Sequence, residues 1–419
     1  MAETTAYDQV RIGIPARTRR ARIGASAAFA VQGLCFAAVI ARVPVLQTRF
    51  GLLDSQLTVI LGAVPIVAGL GSVLAGVLAP RLGSGTVLRM AGIGVAASTA
   101  ADGLVDRLPA LYAAVACLGL FLGAVDATMN MQGVAVQRRY GRSILASCHA
   151  WWSIAAIVGS AAAIATGGLS RPYALGGFLV GIAVLGALTS LLAGPHLLKR
   201  AEEAENPLTA AVETPEDTQG PGGVNVRRTV LLVGVALMVM FIGDAAATSW
   251  GPLYMQNAVH AADRLVPAGL FAYLTFQFLG RTVADAVIGS MGAVGTAILG
   301  CLVAAAGFGV VVGVRTVPGA VAGFALIGAG LSVVVPLTFS AADALDPAGT
   351  GTVIAKVNLF NYAGVVVGSI LIGVIVGAVS YPVAFGVPGV LVLLILALAP
   401  AFRVVDSARA RAARAIAAR

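Results

Sequence analysis

An aspartate and an asparagine stand one helical turn apart in an otherwise apolar stretch. The segment GAVDATMN, residues 123–130, places Asp126 and Asn130 four positions apart, so both project from one face of a helix. Gly119 and Gly123 lie along the same stripe, where small residues let a neighbouring helix or a ligand approach closely. A carboxyl group there can take up and release a proton, and the amide can hydrogen-bond a hydroxylated solute. The alternative is a buried polar contact that only joins two helices.

Two further acids are assigned to apolar stretches, where an ionised carboxylate costs about 2.5–3.5 kcal/mol. Asp244 shares a helix face with Thr248, and a proton-coupling role and a structural role are both open for it. Asp285 follows Arg281 by four positions, so the sequence predicts a self-neutralising pair. We expect that pair to be structural or gating and to lie outside the solute site.

Other polar and aromatic residues within apolar runs are candidates for proton relay or solute contact. His149 titrates near neutral pH in water and suits a relay, with helix packing as the alternative. Of Trp151 and Trp152, one could stack on a sugar ring. Arg42, next to Pro44, is interpreted as an outer-gate or interface residue. The remaining candidates, for which packing is again the alternative, are Asn358, Asn361, Tyr362, Gln277 and Gln32.

The elements that must position these residues are membrane helices. Of the 419 residues, 59% are hydrophobic and 11% are charged, whereas a soluble domain carries about 25% charged residues. Apolar runs of about 20 residues, long enough to cross the hydrocarbon core, recur along the chain. The sequence predicts an all-α polytopic membrane protein with twelve spans, at about 23–41, 56–79, 86–105, 108–131, 144–166, 173–193, 229–250, 266–288, 293–313, 319–340, 351–375 and 381–402.

The spans divide into two sets of six. Residues 196–228 are rich in acid, Pro, Thr and Gly and are interpreted as a linker between the bundles 23–195 and 229–402. A segment 1–22 precedes the first bundle, and a basic tail, 403–419, follows the second. Arginines concentrate in the segments on the side of the two termini, which predicts that both termini are cytoplasmic and that the protein lies in the inner membrane. The same bias explains the net charge of +9 without a nucleic-acid partner.

The two sets of six also resemble each other. The second span closes with GVLAPRLGSG, residues 76–85, and the eighth with DAVIGSMGAV, residues 285–294, so that Gly83 aligns with Gly292. Two pseudo-symmetric six-helix bundles joined by a polar linker are typical of a secondary transporter, whose solute site lies between the halves near the membrane midplane.

The loop after the second span carries a family pattern. The loop between spans two and three of the major facilitator superfamily has the form G-x-x-x-D-R-x-G-R-R. Gly76, Arg81 and Gly83 match it, Pro80 stands in place of the aspartate, and the basic pair is absent. The chain thus resembles this superfamily. The resemblance implies a gating role for the three matching residues, with the family's gating ion pair lost.

A narrower resemblance is to the fucose-permease-like branch of sugar:proton symporters. It depends on Arg42-Val43-Pro44, DATMN at 126–130, SCHAWWS at 147–153, Asp244 with Trp250 and Tyr254, and Gly280-Arg281. In fucose permease an acid in span four followed by an asparagine carries proton coupling, a pattern that Asp126 and Asn130 match. A second acid of that permease lies in span one, where this chain has Ile40, so the two-carboxylate mechanism is not implied intact.

These features predict a proton-coupled secondary transporter of a small polar solute, such as a sugar or related metabolite, working as a monomer in the lipid bilayer. A proton-driven exporter of drugs or amphipathic metabolites is the first alternative, and a membrane enzyme or receptor-like protein is the second. The sequence has no nucleotide-binding G-x-x-x-x-G-K-[ST] loop and no metal-spaced cluster, so it predicts no cofactor, no metal and no ATP-driven pump.

Overall fold

Helices account for nearly all of the chain in the computed structural model, which describes residues 14–140, 144–169, 173–204, 219–220, 224–346 and 352–417. Among these described residues, ten helical stretches are long and apolar enough to cross a membrane, and one of them, Asp263–Gly313, holds two helices that meet at Gly292. Ser84–Leu104, with 21 residues, is a further helix of suitable length. Separating the joined pair and including this helix gives twelve. The predicted all-α fold is therefore confirmed.

The first half begins in the predicted N-terminal segment, most of which lies outside the described residues. Its six helices are α1 (Ala16–Phe50), α2 (Asp54–Leu82), α3 (Ser84–Leu104), α4 (Leu108–Tyr140), α5 (Leu145–Thr166) and α6 (Phe178–Ala193). A π-helical turn, Tyr173–Gly177, leads into α6. Within the predicted linker, the structure describes a short helix, Arg200–Ala204, and two paired strands, β1 (Gln219–Gly220) and β2 (Val224–Asn225).

The second half repeats this arrangement. Its helices are α7 (Val226–Ala245, continued by Ala246–Trp250 and Gly251–Asn257), α8 (268–291), α9 (293–313), α10 (Val317–Leu331, continued by Val334–Ala344), α11 (Thr352–Ala378) and α12 (Tyr381–Val392, continued by Leu394–Leu398 and Ala399–Phe402). A thirteenth helix, α13 (Arg403–Ala417), follows where the sequence predicts a basic tail. Twelve crossings return the chain to its starting side, which we call the terminal face; the opposite side is the far face.

Glycines make the sharp reversals between the second and third helices of each half. Gly83 has φ of 85° and Gly292 has φ of 75°, a backbone region that L side chains rarely adopt. The two positions that the repeat aligns therefore share one conformation. Side-chain caps begin α10 and α12: the Thr316 hydroxyl accepts a hydrogen bond from the Gly319 amide, and the Ser380 hydroxyl accepts one from the Val383 amide.

Equivalent helix pairs cross closely in both halves. A Cβ added at Gly123 on α4 would overlap the Ala68 carbonyl on α2, and one added at Gly328 on α10 would overlap the Tyr273 carbonyl on α8. Only residues without a side chain allow backbones to approach to this distance. The glycine stripe inferred around residue 123 is therefore a contact with α2, next to Asp126 on the same helix.

Carboxylates from the segments after each half cap α3 and α9 at the terminal face. Glu203, in the short linker helix, accepts hydrogen bonds from the Ser84 amide (3.3 Å), the Ser84 hydroxyl (2.9 Å) and the Gly85 amide (3.4 Å). In the second half, Asp406 on α13 accepts one from the Ala293 amide at 2.7 Å. An anion at a helix N-terminus satisfies free amides and interacts favourably with the helix dipole. The duplicated fold thus uses an acid from outside the transmembrane helices in both halves.

The linker helix is also attached to α1. Arg17 donates hydrogen bonds to both carboxylate oxygens of Glu202, at 2.8 and 2.6 Å, and to the His196 and Leu197 carbonyls. The hydrogen bonds from Arg17 hold the pKa of the Glu202 carboxyl below its ordinary value. The start of the predicted linker is therefore part of the first half.

Hydrogen bonds between the two halves hold the far face together. The Tyr381 hydroxyl at the start of α12 donates to Asp54 Oδ1 at 3.0 Å, at the start of α2. The Asn257 amide donates to Tyr381 Oη at 2.9 Å and to Gln47 Oε1 at 3.0 Å. The two bundles are thus joined on the side opposite the chain termini.

Candidate functional site

A cavity of about 380 Å³ lies between the two halves. Its walls come from α1, α2, α4 and α5 of the first half and from α7, α8 and α11 of the second. Pockets for small molecules typically measure about 300–1,000 Å³, so one metabolite-sized solute fits. The cavity brings together eight of the eleven residues predicted for proton coupling or solute contact: Gln32, Asp126, His149, Trp152, Asp244, Gln277, Asn361 and Tyr362.

Asp126 faces this cavity from α4. Its Oδ2 accepts a hydrogen bond at 3.3 Å from the hydroxyl of Tyr362, which lies on α11 in the other half. The contact therefore crosses the interface on which the two bundles meet. Asn130, predicted to contact solute, instead donates from Nδ2 to the backbone carbonyl of Asp126 at 2.8 Å and is not among the residues lining the cavity. The Asn130 amide therefore bonds to the backbone of its own helix, and this bond stabilises the helical turn that carries Asp126.

Asp244 lines the opposite wall from α7 and is held by two side chains of α8. Tyr273 donates its hydroxyl proton to Asp244 Oδ1 at 2.5 Å, and Gln277 Nε2 donates to the same oxygen at 3.1 Å. Directly after Asp244 the helix widens into a π-helical turn, Ala246–Trp250, and Thr248 and Ser249 from this turn also line the cavity. Such turns within α-helices occur frequently at functional sites.

The predicted ion pair between Arg281 and Asp285 is wrong. Asp285 is 95% exposed at its side chain and lies 3.6 Å from Arg409 of α13, whereas Arg281 lines the cavity. Side chains on a helix lean toward its N-terminus, and α8 runs from the far face to the terminal face. Arg281 therefore extends toward the level of Gln277 and Asp244, away from Asp285. Spacing alone missed that one of the two residues faces solvent and the other faces the cavity.

The aromatic pair of α5 divides between two environments. Trp152 lines the cavity, with its ring centroid 5.9 Å from that of Phe36 on α1. Trp151 is 51% exposed on the outside of the bundle, so solute contact is ruled out for it in this arrangement. His149 lines the cavity and packs edge-on against Phe29, with 4.7 Å between the ring centroids.

The other sequence-predicted residues lie away from the cavity. Asn358 accepts a hydrogen bond at 3.2 Å from Asn361, which does line it. Arg42, only 1% exposed, donates to the Ala163 carbonyl and the Thr166 hydroxyl within its own half, near the far face. The matching loop residues lie at the terminal face: Gly76 beside open space, Arg81 exposed, and Gly83 at the reversal into α3.

Several residues were missed by sequence reasoning. Ser72 and Ser369 line the cavity from α2 and α11, but a serine in an apolar helix gives no distinctive signal. Asp102 is a further acid within the predicted spans, in addition to the three assigned from the sequence. It is fully buried in α3, and neither carboxylate oxygen has a hydrogen-bond partner within the described chain. Its position near the end of a predicted span concealed it among loop residues.

Comparisons with known proteins agree with this architecture. The pattern of the Major Facilitator Superfamily matches residues 24–362. An uncharacterized transporter of Sinorhizobium fredii, y4wD, is 28% identical over 386 residues, covering 91% of this chain and 97% of its own. An uncharacterized MFS-type transporter of Yersinia pestis is 28% identical over 378 residues, covering 89% and 94%. Membrane protein MosC of Rhizobium meliloti is 24% identical over 359 residues, covering 84% and 83%.

Solved structures share the fold at low sequence identity. A mutant form of the nucleoside transporter NupG superposes with a TM-score of 0.71 at 11% identity, covering 92% of this chain and 99% of that one. A bacterial homologue of the human lysosomal transporter Spinster gives 0.65 at 12% identity, covering 92% and 96%. With its twelve helices, its cavity between two bundles and the match over most of its length, the chain belongs to the Major Facilitator Superfamily and is a membrane transporter rather than an enzyme.

Proposed function

We propose that this protein is a proton-coupled transporter of a small polar solute and that Asp126 carries the proton. The observation that supports this most is the hydrogen bond from Tyr362 to Asp126, because it links a titratable group to the opposite half across the solute cavity. When Asp126 loses its proton, a charged carboxylate is left in a poorly hydrated place, which costs free energy. The protonation of Asp126 and the contact between the two halves therefore depend on each other.

Polar groups in the otherwise largely apolar lining of the cavity support a polar solute. Amide, hydroxyl and indole groups from both halves line it, including Gln32, Asn361, Ser369 and Trp152. Amides and hydroxyls supply the hydrogen bonds that a hydroxylated metabolite needs, and an indole ring offers a flat apolar face. The narrower relationship to fucose-permease-like symporters is part of this proposal and agrees with such a lining.

Alternating access and the membrane orientation complete the proposal. Hydrogen bonds of Tyr381 and Asn257 join the two halves at the far face, which favours entry or exit of the solute at the terminal face in this state. Arginines near the terminal face, such as Arg17 and Arg139, suggest that this face is cytoplasmic and that the protein works in the inner membrane as a monomer. The residues that then adjust the opening and closing of the cavity are Arg281, Gly76, Arg81, Gly83 and Arg42.

The test uses purified protein in liposomes with a pH gradient and a trapped pH dye. Glucose, glucuronate and tetraphenylphosphonium serve as the neutral-sugar, sugar-acid and hydrophobic-cation probes. We expect a polar probe to accumulate with the wild type. Asp126→Asn should reduce gradient-driven accumulation at least tenfold while solute exchange persists. Asp285→Asn, which changes an exposed acid outside the cavity, is the matched control and should behave as the wild type.

Two results would reject the proposal. Equal gradient-driven accumulation by Asp126→Asn and the wild type would remove this carboxylate from the coupling role. Transport of tetraphenylphosphonium without either polar probe would instead favour the exporter of amphipathic compounds.

A further inference from the structure

Arg281 is the positively charged side chain of the central cavity, and it has no anionic partner in contact. Within the described part of the chain, its guanidinium forms no hydrogen bond and no ion pair with N···O within 4.0 Å, although Asp244 is close enough to interact with it electrostatically. A guanidinium carries five N–H donors, and a solute that accepts hydrogen bonds from them replaces the water that reaches this half-buried side chain.

The acids around Arg281 already have partners of their own. The Tyr273 hydroxyl and the Gln277 amide both donate to Asp244 Oδ1. Asp126 accepts from Tyr362 on the other side of the cavity. Within the residues that the structure describes, the cavity therefore supplies donors to its acids but no acceptor to Arg281. A bound solute is the group that can complete this arrangement.

We propose that the solute carries a carboxylate that binds Arg281, an inference that rests on the proposed transport function. Guanidinium and carboxylate groups match in geometry and form paired hydrogen bonds, which are shorter and stronger than neutral ones. A dianionic phosphate suits the cavity less well, because Asp244 lines the same space and its ionised form repels a second negative charge.

The transported species then balance in charge, whereas Asp244 keeps its own donors, Tyr273 and Gln277, and is not part of that balance. The solute carboxylate is neutralised by Arg281, and a proton neutralises Asp126. One anion moves together with one proton, so the transported pair carries no net charge. If the solute were a neutral sugar, Arg281 would have no anionic group in contact and would interact only with Asp244, electrostatically and at longer range. That is the competing arrangement, in which Arg281 serves to position Asp244 and never contacts solute.

The experiment measures binding in detergent, so it does not depend on proton movement. Melting temperatures of the purified protein are recorded with three pairs of similar shape: glucuronate and glucuronamide, nicotinate and nicotinamide, and lactate and lactamide. Each pair differs in replacing a carboxylate by a neutral amide. A ligand that binds only the folded protein raises its melting temperature by mass action. The variants are Arg281→Gln, Arg281→Lys and the control Asp285→Asn.

We expect at least one carboxylate to stabilise the wild type and Asp285→Asn, with affinity at least tenfold higher than that of its amide. Arg281→Gln should lose this preference, and Arg281→Lys, which keeps the charge but not the planar fork, should retain only part of it. Stabilisation by the amides to the same extent, by none of the carboxylates, or by sodium chloride alone would overturn the inference.

Two outcomes distinguish a wrong carboxylate site from a wrong transport function. Arg281-dependent carboxylate binding without proton-driven accumulation would refute proton coupling and leave the carboxylate site intact. Proton-driven accumulation of glucose that Arg281→Gln does not alter would do the reverse. An Arg281→Gln protein that does not fold is covered by Arg281→Lys, whose partial loss of preference is itself the predicted result.

Discussion

Replacing Gly123 by alanine is expected to push α4 away from α2 beside Asp126. The added Cβ would lie 2.5 Å from the carbonyl carbon of Ala68 and 2.7 Å from its Cα. Carbon atoms in contact are normally about 3.5–4.0 Å apart. The carbonyl oxygen of Ala68 would lie closer still, so the two backbones must separate by more than about 1 Å, because no flexible side chain is present to give way. Both Gly123 and Ala68 line the cavity, so its wall widens at the same point.

The size of the effect follows from a comparison with Gly69 on α2. A Cβ added at Gly69 meets nothing within 4 Å. Alanine at either position gains about 1 kcal/mol of helix propensity over glycine, and this gain cancels when the two variants are compared. Overpacking costs about 1–3 kcal/mol, and the upper end applies here since two backbones collide. Gly123→Ala should therefore be about 3 kcal/mol less stable than Gly69→Ala.

The assay is thermal unfolding in detergent. The measured quantity is the fraction of the protein that still elutes as a monodisperse species after heating. We expect Gly123→Ala to melt several degrees below Gly69→Ala, and Gly69→Ala to melt at or slightly above the wild type. Solute binding should weaken in Gly123→Ala, because Asp126 moves with α4. Equal melting temperatures for the two alanine variants would refute the close crossing of these helices.

Two other predictions concern the cavity wall and the terminal face. Trp152→Ala should weaken solute binding at least tenfold, whereas Trp151→Ala should leave it unchanged, because only the first ring lines the cavity; equal losses in the melting-shift titrations would contradict this division. Glu203→Ala should speed hydrogen exchange of the Ser84 amide roughly 10- to 100-fold, as expected for loss of a charged acceptor contributing about 1.5–3 kcal/mol. Unchanged exchange measured by mass spectrometry would show that Glu203 does not cap α3.

Most of the fold could be predicted from the sequence because membrane helices require long apolar runs. The α9 prediction, 293–313, has the observed bounds, and the alignment of Gly83 with Gly292 corresponds to a shared backbone conformation. Helix ends outside the apolar core were missed. α4 extends to Tyr140, beyond the predicted end at 131. Hydropathy marks only the part of a helix inside the hydrocarbon, whereas the hydrogen-bonded backbone of α4 continues beyond it.

The candidate site was harder to predict than the fold. Rarity of charge in apolar runs identified Asp126 and Asp244, and the structure places both on one cavity. The direction of a side chain around its helix was not available from spacing, so Arg281 was assigned to a pair with Asp285 instead of to the cavity. Packing between helices distant in sequence also decided which of two adjacent tryptophans faces inward.

The far-face contacts described above are nearly free of formal charge. Tyr381, Asn257 and Gln47 are neutral, and Asp54 is the one ionisable acid among these partners. Dissolved ions screen attraction between opposite charges but have little effect on hydrogen bonds between neutral groups. Raising the ionic strength should therefore loosen this closure far less than it would loosen a closure made of salt bridges, and the protein should keep its resting shape in both dilute and saline surroundings.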